Sequence, residues 1–262
     1  MEIEVGGMTI KYELAGPESA SVVVCSHCLA GNMAIWDPQM DALRKKYRVL
    51  RYDLRGHGGS SAPDEAYTME MLAADVAGLM DELGIEDVHF MGISMGGMIG
   101  QVLALMVPER VSSLILADTT CMIPENMRPI WDERIATARE KGMAALADDT
   151  LERWLSPQFR ENNPEITRKI KDIILTTPPA GFAGCCQAIS NFDVRDDLSR
   201  LSTPTLIMVG ENDPGTPVEA ARQVQEAIQN SVMLELPGAY HLSNIEAAEQ
   251  FNENMLAFLS RQ

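Results

Sequence analysis

Six short apolar runs of strand length, separated by stretches of helical character, set the main constraint on this chain: Val22 to Cys25, Tyr47 to Tyr52, Val88 to Ile93, Val111 to Ala117, Thr205 to Val209 and Val232 to Leu236. A strand with one face in water alternates apolar and polar residues. These runs do not alternate, so both of their faces are expected to be buried. The arrangement that achieves this is an α/β fold, a mostly parallel sheet with helices on its faces. Glu2 to Val5 and Met8 to Leu14, on either side of Gly6-Gly7, read instead as an antiparallel hairpin at the sheet edge, which brings the expected sheet to eight strands.

Between Ala117 and Leu201 the alternation stops, and about eighty residues follow with helical character, Pro breaks at Pro157 and Pro164, and a Thr176-Thr177-Pro178-Pro179 turn. Strand character resumes at Thr205. This predicts a core made of residues 1–121 and 191–262, with a mainly helical cap, 122–190, inserted over one end of the sheet. Capping chemistry marks several helix starts. Asp37-Pro38 predicts an N-cap followed by Pro at N1, and Thr216-Pro217-Val218-Glu219 and Ser243-Asn244-Ile245-Glu246 read as capping boxes. Phe251, Met255, Phe258 and Leu259 recur at helical spacing in the last segment and are expected to face the core.

The composition, 46% hydrophobic and 23% charged over 262 residues, belongs to a folded globular chain long enough for one substantial core. Its formal charge of −17 repels phosphate backbones and anionic membrane surfaces, which argues against nucleic-acid and membrane partners. The same field repels a small anionic substrate, so such a substrate would need a cation beside the site. No apolar run approaches a membrane span; Gly, Ser and Gln interrupt the longest candidate, Phe90 to Val107. Met1 to Ile10 lacks the basic and apolar regions of a secretory signal, and the five cysteines are an odd number, so reduced thiols and a cytoplasmic location are expected. Cys25-x-x-Cys28 has no second pair and reads as buried small side chains rather than a zinc or redox motif. No pair of histidines falls at metal-ligand spacing, so no metal site is expected. The assembly is left open between a monomer and a weak dimer.

Gly92-Ile93-Ser94-Met95-Gly96 lies between a strand and a helix-compatible run, Gly97 to Val107. A sharp strand-to-helix turn leaves no room beside the serine, which accounts for the two glycines, and lifts its Oγ above the carboxyl end of the sheet. A serine needs a base to become a nucleophile. Turns of this kind are followed along the chain by an acid and then a histidine, and the one histidine after Ser94 is His241. The acid is expected after the preceding strand, in Gly210-Glu211-Asn212-Asp213-Pro214. Asp213 is the choice, Glu211 the fallback, and Asp118 a further alternative. Acyl transfer also needs oxyanion donors, for which the backbone N–H groups of Met95 and Leu29 are the candidates. His27 is read as organising its loop, His57 as structural or pocket-lining and His89 as structural.

With Ser94, Asp213 and His241 in that order, and Asp53-Leu54-Arg55-Gly56-His57-Gly58-x-Ser60 after the second main strand, the chain resembles the α/β-hydrolase superfamily over essentially its full length. Finer matches resemble the 3-oxoadipate enol-lactonase group: Ile93 to Gln101, Trp131-Asp132-x-Arg134-Ile135, Gly142 to Ala147, Pro178-Pro179-x-Gly181-Phe182, Cys185-Cys186 with Ala188-Ile189, and Asp193-x-Arg195-Asp196-Asp197-Leu198. The resemblance implies a serine hydrolase that opens 3-oxoadipate enol-lactone to 3-oxoadipate through an acyl-serine intermediate, without metal or organic cofactor, in the bacterial breakdown of protocatechuate and catechol. It also implies a small-molecule substrate that keeps a free carboxylate. Arg134 is the expected anchor for it, with Trp131 packing the ring; the plainer alternative is a solvated helix arginine paired with Asp132 or Glu133. His27-Cys28 and Ala30-Gly31 depart from the Asn-Ser and Gly-Thr expected in that group, which leaves the ester or lactone open. Other readings are a broad carboxylesterase, another lactonase or a perhydrolase-like enzyme on the same triad and, outside catalysis, a small-molecule receptor.

Overall fold

Each apolar run forms a strand. In the computed structural model, which describes residues 1–262, the strands are β1 (Glu2–Val5), β2 (Met8–Ala15), β3 (Val22–Ser26), β4 (Arg48–Tyr52), β5 (Val88–Ile93), β6 (Val111–Ala117), β7 (Thr205–Gly210) and β8 (Ser231–Leu236). They make one sheet in the order β1-β2-β4-β3-β5-β6-β7-β8. β2 runs antiparallel to β1 and to β4, and every pairing from β4 through β8 is parallel.

Helices α1 (Asp37–Leu43), α2 (Met69–Glu82) and α3 (Met95–Met106) join the first parallel strands. α4 (Arg128–Lys141), α5 (Ala147–Trp154), α6 (Pro157–Asn162), α7 (Pro164–Thr176) and α8 (Pro179–Ser190) fill the stretch between β6 and β7. α9 (Val218–Ala227) joins β7 to β8, and α10 (Ser243–Glu246) and α11 (Ala248–Leu259) follow. No helix is long and apolar enough to cross a membrane.

Every residue of β5 and β7 is buried, as expected of strands covered on both faces. β8 differs: it is the edge strand, and Val232 and Leu234 remain exposed. On α11, Phe251, Met255 and Leu259 are buried, with the Phe251 ring 6.1 Å from that of Trp36. Seventy-three buried apolar residues form one connected cluster, in which Leu146, Leu151, Trp154 and Phe182 from the helices after β6 join the sheet residues. Those helices therefore dock through the same apolar mass as the core, not through a core of their own. At one point the approach is backbone on backbone: a Cβ on Gly56 would lie 2.5 Å from the Gly181 Cα, and one on Gly181 would lie 2.1 Å from the Gly56 carbonyl oxygen.

The expected helix caps are where the structure departs from the sequence reading. Asp37 is the first residue of α1 rather than its N-cap, and its carboxylate pairs with Arg51 and Lys169. Thr216 and Ser243 make no cap; their hydroxyls donate instead to buried carboxylates, Thr216 Oγ1 to Asp213 at 2.7 Å and Ser243 Oγ to Asp118 at 2.5 Å. A bond to a buried carboxyl oxygen satisfies a group that would otherwise be left without a partner.

Candidate active site

Ser94 occupies the turn between β5 and α3 with φ 56° and ψ −119°, in the left-handed region that a non-glycine residue enters at a cost. Neighbouring hydrogen bonds hold it there: Ser94 N–H donates to the Ala117 carbonyl at 2.8 Å, and Thr119 Oγ1 donates to the Ser94 carbonyl at 2.7 Å. The flanking glycines are obligatory. A Cβ on Gly92 would sit 2.2 Å from the Gly96 carbonyl oxygen, and one on Gly96 would sit 2.2 Å from that of Ser26.

The structure brings together the three side chains singled out from the sequence. His241 Nε2 lies 2.9 Å from Ser94 Oγ, and His241 Nδ1 lies 2.8 Å from Asp213 Oδ2. Asp213 follows β7 and also accepts from the amides of Gly215 (2.7 Å) and Thr216 (3.1 Å), which fixes the carboxylate. His241 is buried. Burial disfavours its charged form, but the Asp213 charge and hydrogen bond outweigh it, and the imidazole pKa is raised. With Nδ1–H donated to Asp213, Nε2 faces the serine as an acceptor.

The two alternative acids do other work. Glu211 accepts from the Gly238 amide at 2.9 Å. Asp118 sits at the end of β6 with φ 44°, fully buried, and accepts from the Gly210 amide (2.8 Å), the Ser243 amide (3.2 Å) and the Ser243 hydroxyl. It thus ties β7 to the start of α10, two residues past His241. Burial and the nearby Asp213 charge push its carboxyl well up. The sequence showed Asp118 only as a possible acid; nothing in its spacing announced this tie.

The remaining histidines brace the loops beside the site. His57 Nε2 accepts from the Ala30 amide (2.9 Å) and His27 Nε2 from the Leu54 amide (3.0 Å), so each loop's imidazole holds the other loop's backbone. Their Nδ1–H groups then donate to the Arg55 and Cys28 carbonyls. Burial lowers His27 to about 4 and His57 to about 3, so both are neutral near pH 7. Within the braced loop the Leu29 amide has no protein acceptor. The Met95 amide, first in α3, has no intrahelical one. His89 bonds Ser113 Oγ at 2.9 Å inside the sheet. Cys25 and Cys28 are buried, and burial pushes Cys25 up to about 12, so the thiolate needed for metal or redox work is disfavoured there.

Above Ser94 is a cavity of about 320 Å³ that Leu29, His241, Trp131 and Arg134 all line. Arg134 stacks on Trp131, its guanidinium carbon 4.7 Å from the ring centroid, rather than pairing with Asp132 or Glu133. Adjacent helix positions do not face one another, which is why that pairing does not form. Burial, with the charge of Arg153 adding to it, brings Arg134 down to about 10. Arg153, on α5, lines the same cavity and was missed from sequence, since nothing in its spacing separates it from a solvated helix arginine.

Comparisons with known proteins bear on the fold that carries this geometry. Residues 21–248 match the family described as alpha/beta hydrolase fold. The chain is 37% identical over 254 residues to 3-oxoadipate enol-lactonase 2 of Acinetobacter baylyi, covering 97% of this chain and 94% of that one. It superposes on the crystal structure of the enol-lactonase from Burkholderia xenovorans with a TM-score of 0.96 at 37% identity, covering 99% of this chain and 100% of the other. Est816, an N-acyl homoserine lactone degrading enzyme, superposes with a TM-score of 0.87 at 26% identity, covering 98% and 100%. A parallel sheet with this strand order, a strained serine after β5, and near full-length identity at this level place the chain in the α/β hydrolase family, in the group that contains the 3-oxoadipate enol-lactonases.

Proposed function

We propose that this enzyme is a serine hydrolase that opens 3-oxoadipate enol-lactone to 3-oxoadipate. Ser94 Oγ attacks the lactone carbonyl as His241 Nε2 takes its proton, and Asp213 holds the tautomer and stabilises the imidazolium. The amides of Leu29 and Met95 receive the oxyanion. The ring C–O bond breaks as the imidazolium returns its proton to the departing enolate, and a water then activated by the neutral His241 releases the acyl group from Ser94. Arg134, pre-positioned by Trp131, holds the carboxylate of the substrate. The cap, residues 122–190, roofs the cavity; its two ends are drawn together where the Ile123 amide bonds the Phe192 carbonyl (2.8 Å) and the Val194 amide bonds that of Cys121 (2.9 Å). The reaction belongs to bacterial catabolism of protocatechuate and catechol, in the cytoplasm.

The observation that carries this reading is the 2.9 Å Ser94–His241 contact opening into a cavity that also holds Arg134, in a chain 37% identical to an enol-lactonase. The test is loss of ultraviolet absorbance by enzymatically generated enol-lactone, compared with hydrolysis of a neutral aryl ester and with Ser94→Ala as control. Arg134→Ala is expected to lower kcat/KM for the lactone by about ten- to hundredfold while leaving the neutral ester nearly unchanged. Equal effects on both substrates would remove the carboxylate anchor and favour a broad esterase. Failure of a serine-directed phosphonate to label the folded protein would favour a receptor.

A further inference from the structure

The cavity has an unusual charge content for a chain of net charge −17: it is lined by 19 residues, two of them arginines and none acidic. Arg134 forms no ion pair and spends its guanidinium on the Trp131 face. Arg153 donates only a long 3.4 Å bond to Thr150 Oγ1. The Asp149 charge acts on both without coming within bonding reach of either. The Trp131 Nε1–H is likewise buried with no acceptor. Half-buried cations and a donor left without acceptors are costly unless a ligand completes them.

We propose that the cavity is a dicarboxylate site, in which Arg134 holds the carboxylate that the substrate brings and Arg153 receives the one that hydrolysis creates. This deepens the hydrolase reading and rests on it for the role of Arg134. In the second half-reaction water adds to the acyl carbon, and His241 Nε2 takes one water proton and delivers it to Ser94 Oγ as the C–O bond to serine breaks. The freed acid then gives its remaining proton to solvent. A new negative charge thus appears beside Ser94, and Arg153 stands at that end: the Leu242 amide, next after His241, donates to the carbonyl of Trp154, next after Arg153, at 3.0 Å, and the Arg153 charge acts on the imidazole. A volume of about 320 Å³ suits a small diacid, at the lower end of the roughly 300–1,000 Å³ of ligand pockets.

The probes are adipate and its monomethyl ester, which match in length and differ by one charge, titrated calorimetrically into the intact Ser94→Ala protein, which cannot turn the ester over. Adipate is expected to bind about ten- to hundredfold more tightly. Arg153→Gln is expected to bring the two affinities together, and Arg153→Lys to restore part of the gap. Equal affinities in the Ser94→Ala parent overturn the proposal without any Arg153 variant, so a poorly folded variant leaves it decidable. A gap that survives Arg153→Gln in a protein of unchanged Tm also overturns it. Turnover of enol-lactone is measured separately: hydrolysis without a charge preference refutes only the dicarboxylate site, and a charge preference without hydrolysis refutes only the enol-lactonase reading.

Discussion

Ser94 Oγ and His241 Nε2, 147 residues apart along the chain, stand 2.9 Å from each other. That separation is within proton-transfer reach, and in the proposed reaction the two side chains act as one unit. Ser94→Ala and His241→Ala are each expected to lower kcat on enol-lactone by about 10⁴-fold or more, and the double variant to be no worse than either single one. Losses that multiply in the double variant would contradict a shared role.

The activity of the enzyme should fall toward acid. As the proposed base, His241 would act when neutral, and its pKa is raised above 6.5 because Asp213 overcomes the effect of burial. kcat/KM is expected to drop as pH falls through that raised value. In Asp213→Asn the charge is gone and burial prevails, so the imidazole midpoint, followed by NMR, should move below 6.5. An unchanged midpoint would show that Asp213 does not set it.

Stability should also decline in acid, for a different reason. His27 and His57 are held at about 4 and about 3, below their ordinary 6.5, so the unfolded chain binds protons more readily. Their contribution is fully present above pH 6.5 and is lost as pH falls through the folded values. His57→Leu should flatten this dependence and, by leaving the Ala30 amide unpaired, cost about 1–3 kcal/mol at neutral pH; His57→Gln, which keeps an acceptor, should cost less. Urea denaturation across the pH range measures both effects.

Asp118→Ala removes the acceptor for two buried amides and a hydroxyl. Each unpaired buried donor costs about 1–3 kcal/mol. Because Ser243 lies two residues past His241, kcat should fall along with Tm while KM changes little. A stable, fully active Asp118→Ala protein would remove Asp118 from any part in positioning the histidine.

How much was legible in the sequence follows from what each residue depends on. The inner strands could be read because burial on both faces leaves its mark on consecutive residues, the edge hairpin because Gly6-Gly7 marks its turn, and the serine turn because Gly92 and Gly96 are sterically required where Ser94 takes φ 56°. The one histidine after that serine left no choice of base. The caps at Thr216 and Ser243 were misread because their hydroxyls turn to buried carboxyl groups instead: Thr216 to Asp213, three residues back in its own loop, and Ser243 to Asp118, 125 residues away and brought near only by the tertiary fold. Arg153 was illegible for a related reason. A helix arginine becomes a pocket arginine only when α5 is laid over Ser94, and no local pattern encodes that.

Backbone meets backbone at Gly56 and Gly181 with no side chain between, so α8 is seated directly on the turn that follows β4. α8 also carries Phe182 and Ile189 into the cavity wall. A single methyl at residue 181 would tilt that wall without altering any polar group a ligand touches. Substrate choice in this enzyme can therefore be rewritten from a spot no ligand reaches, and a newly acquired preference need leave no trace among the groups in contact with the substrate.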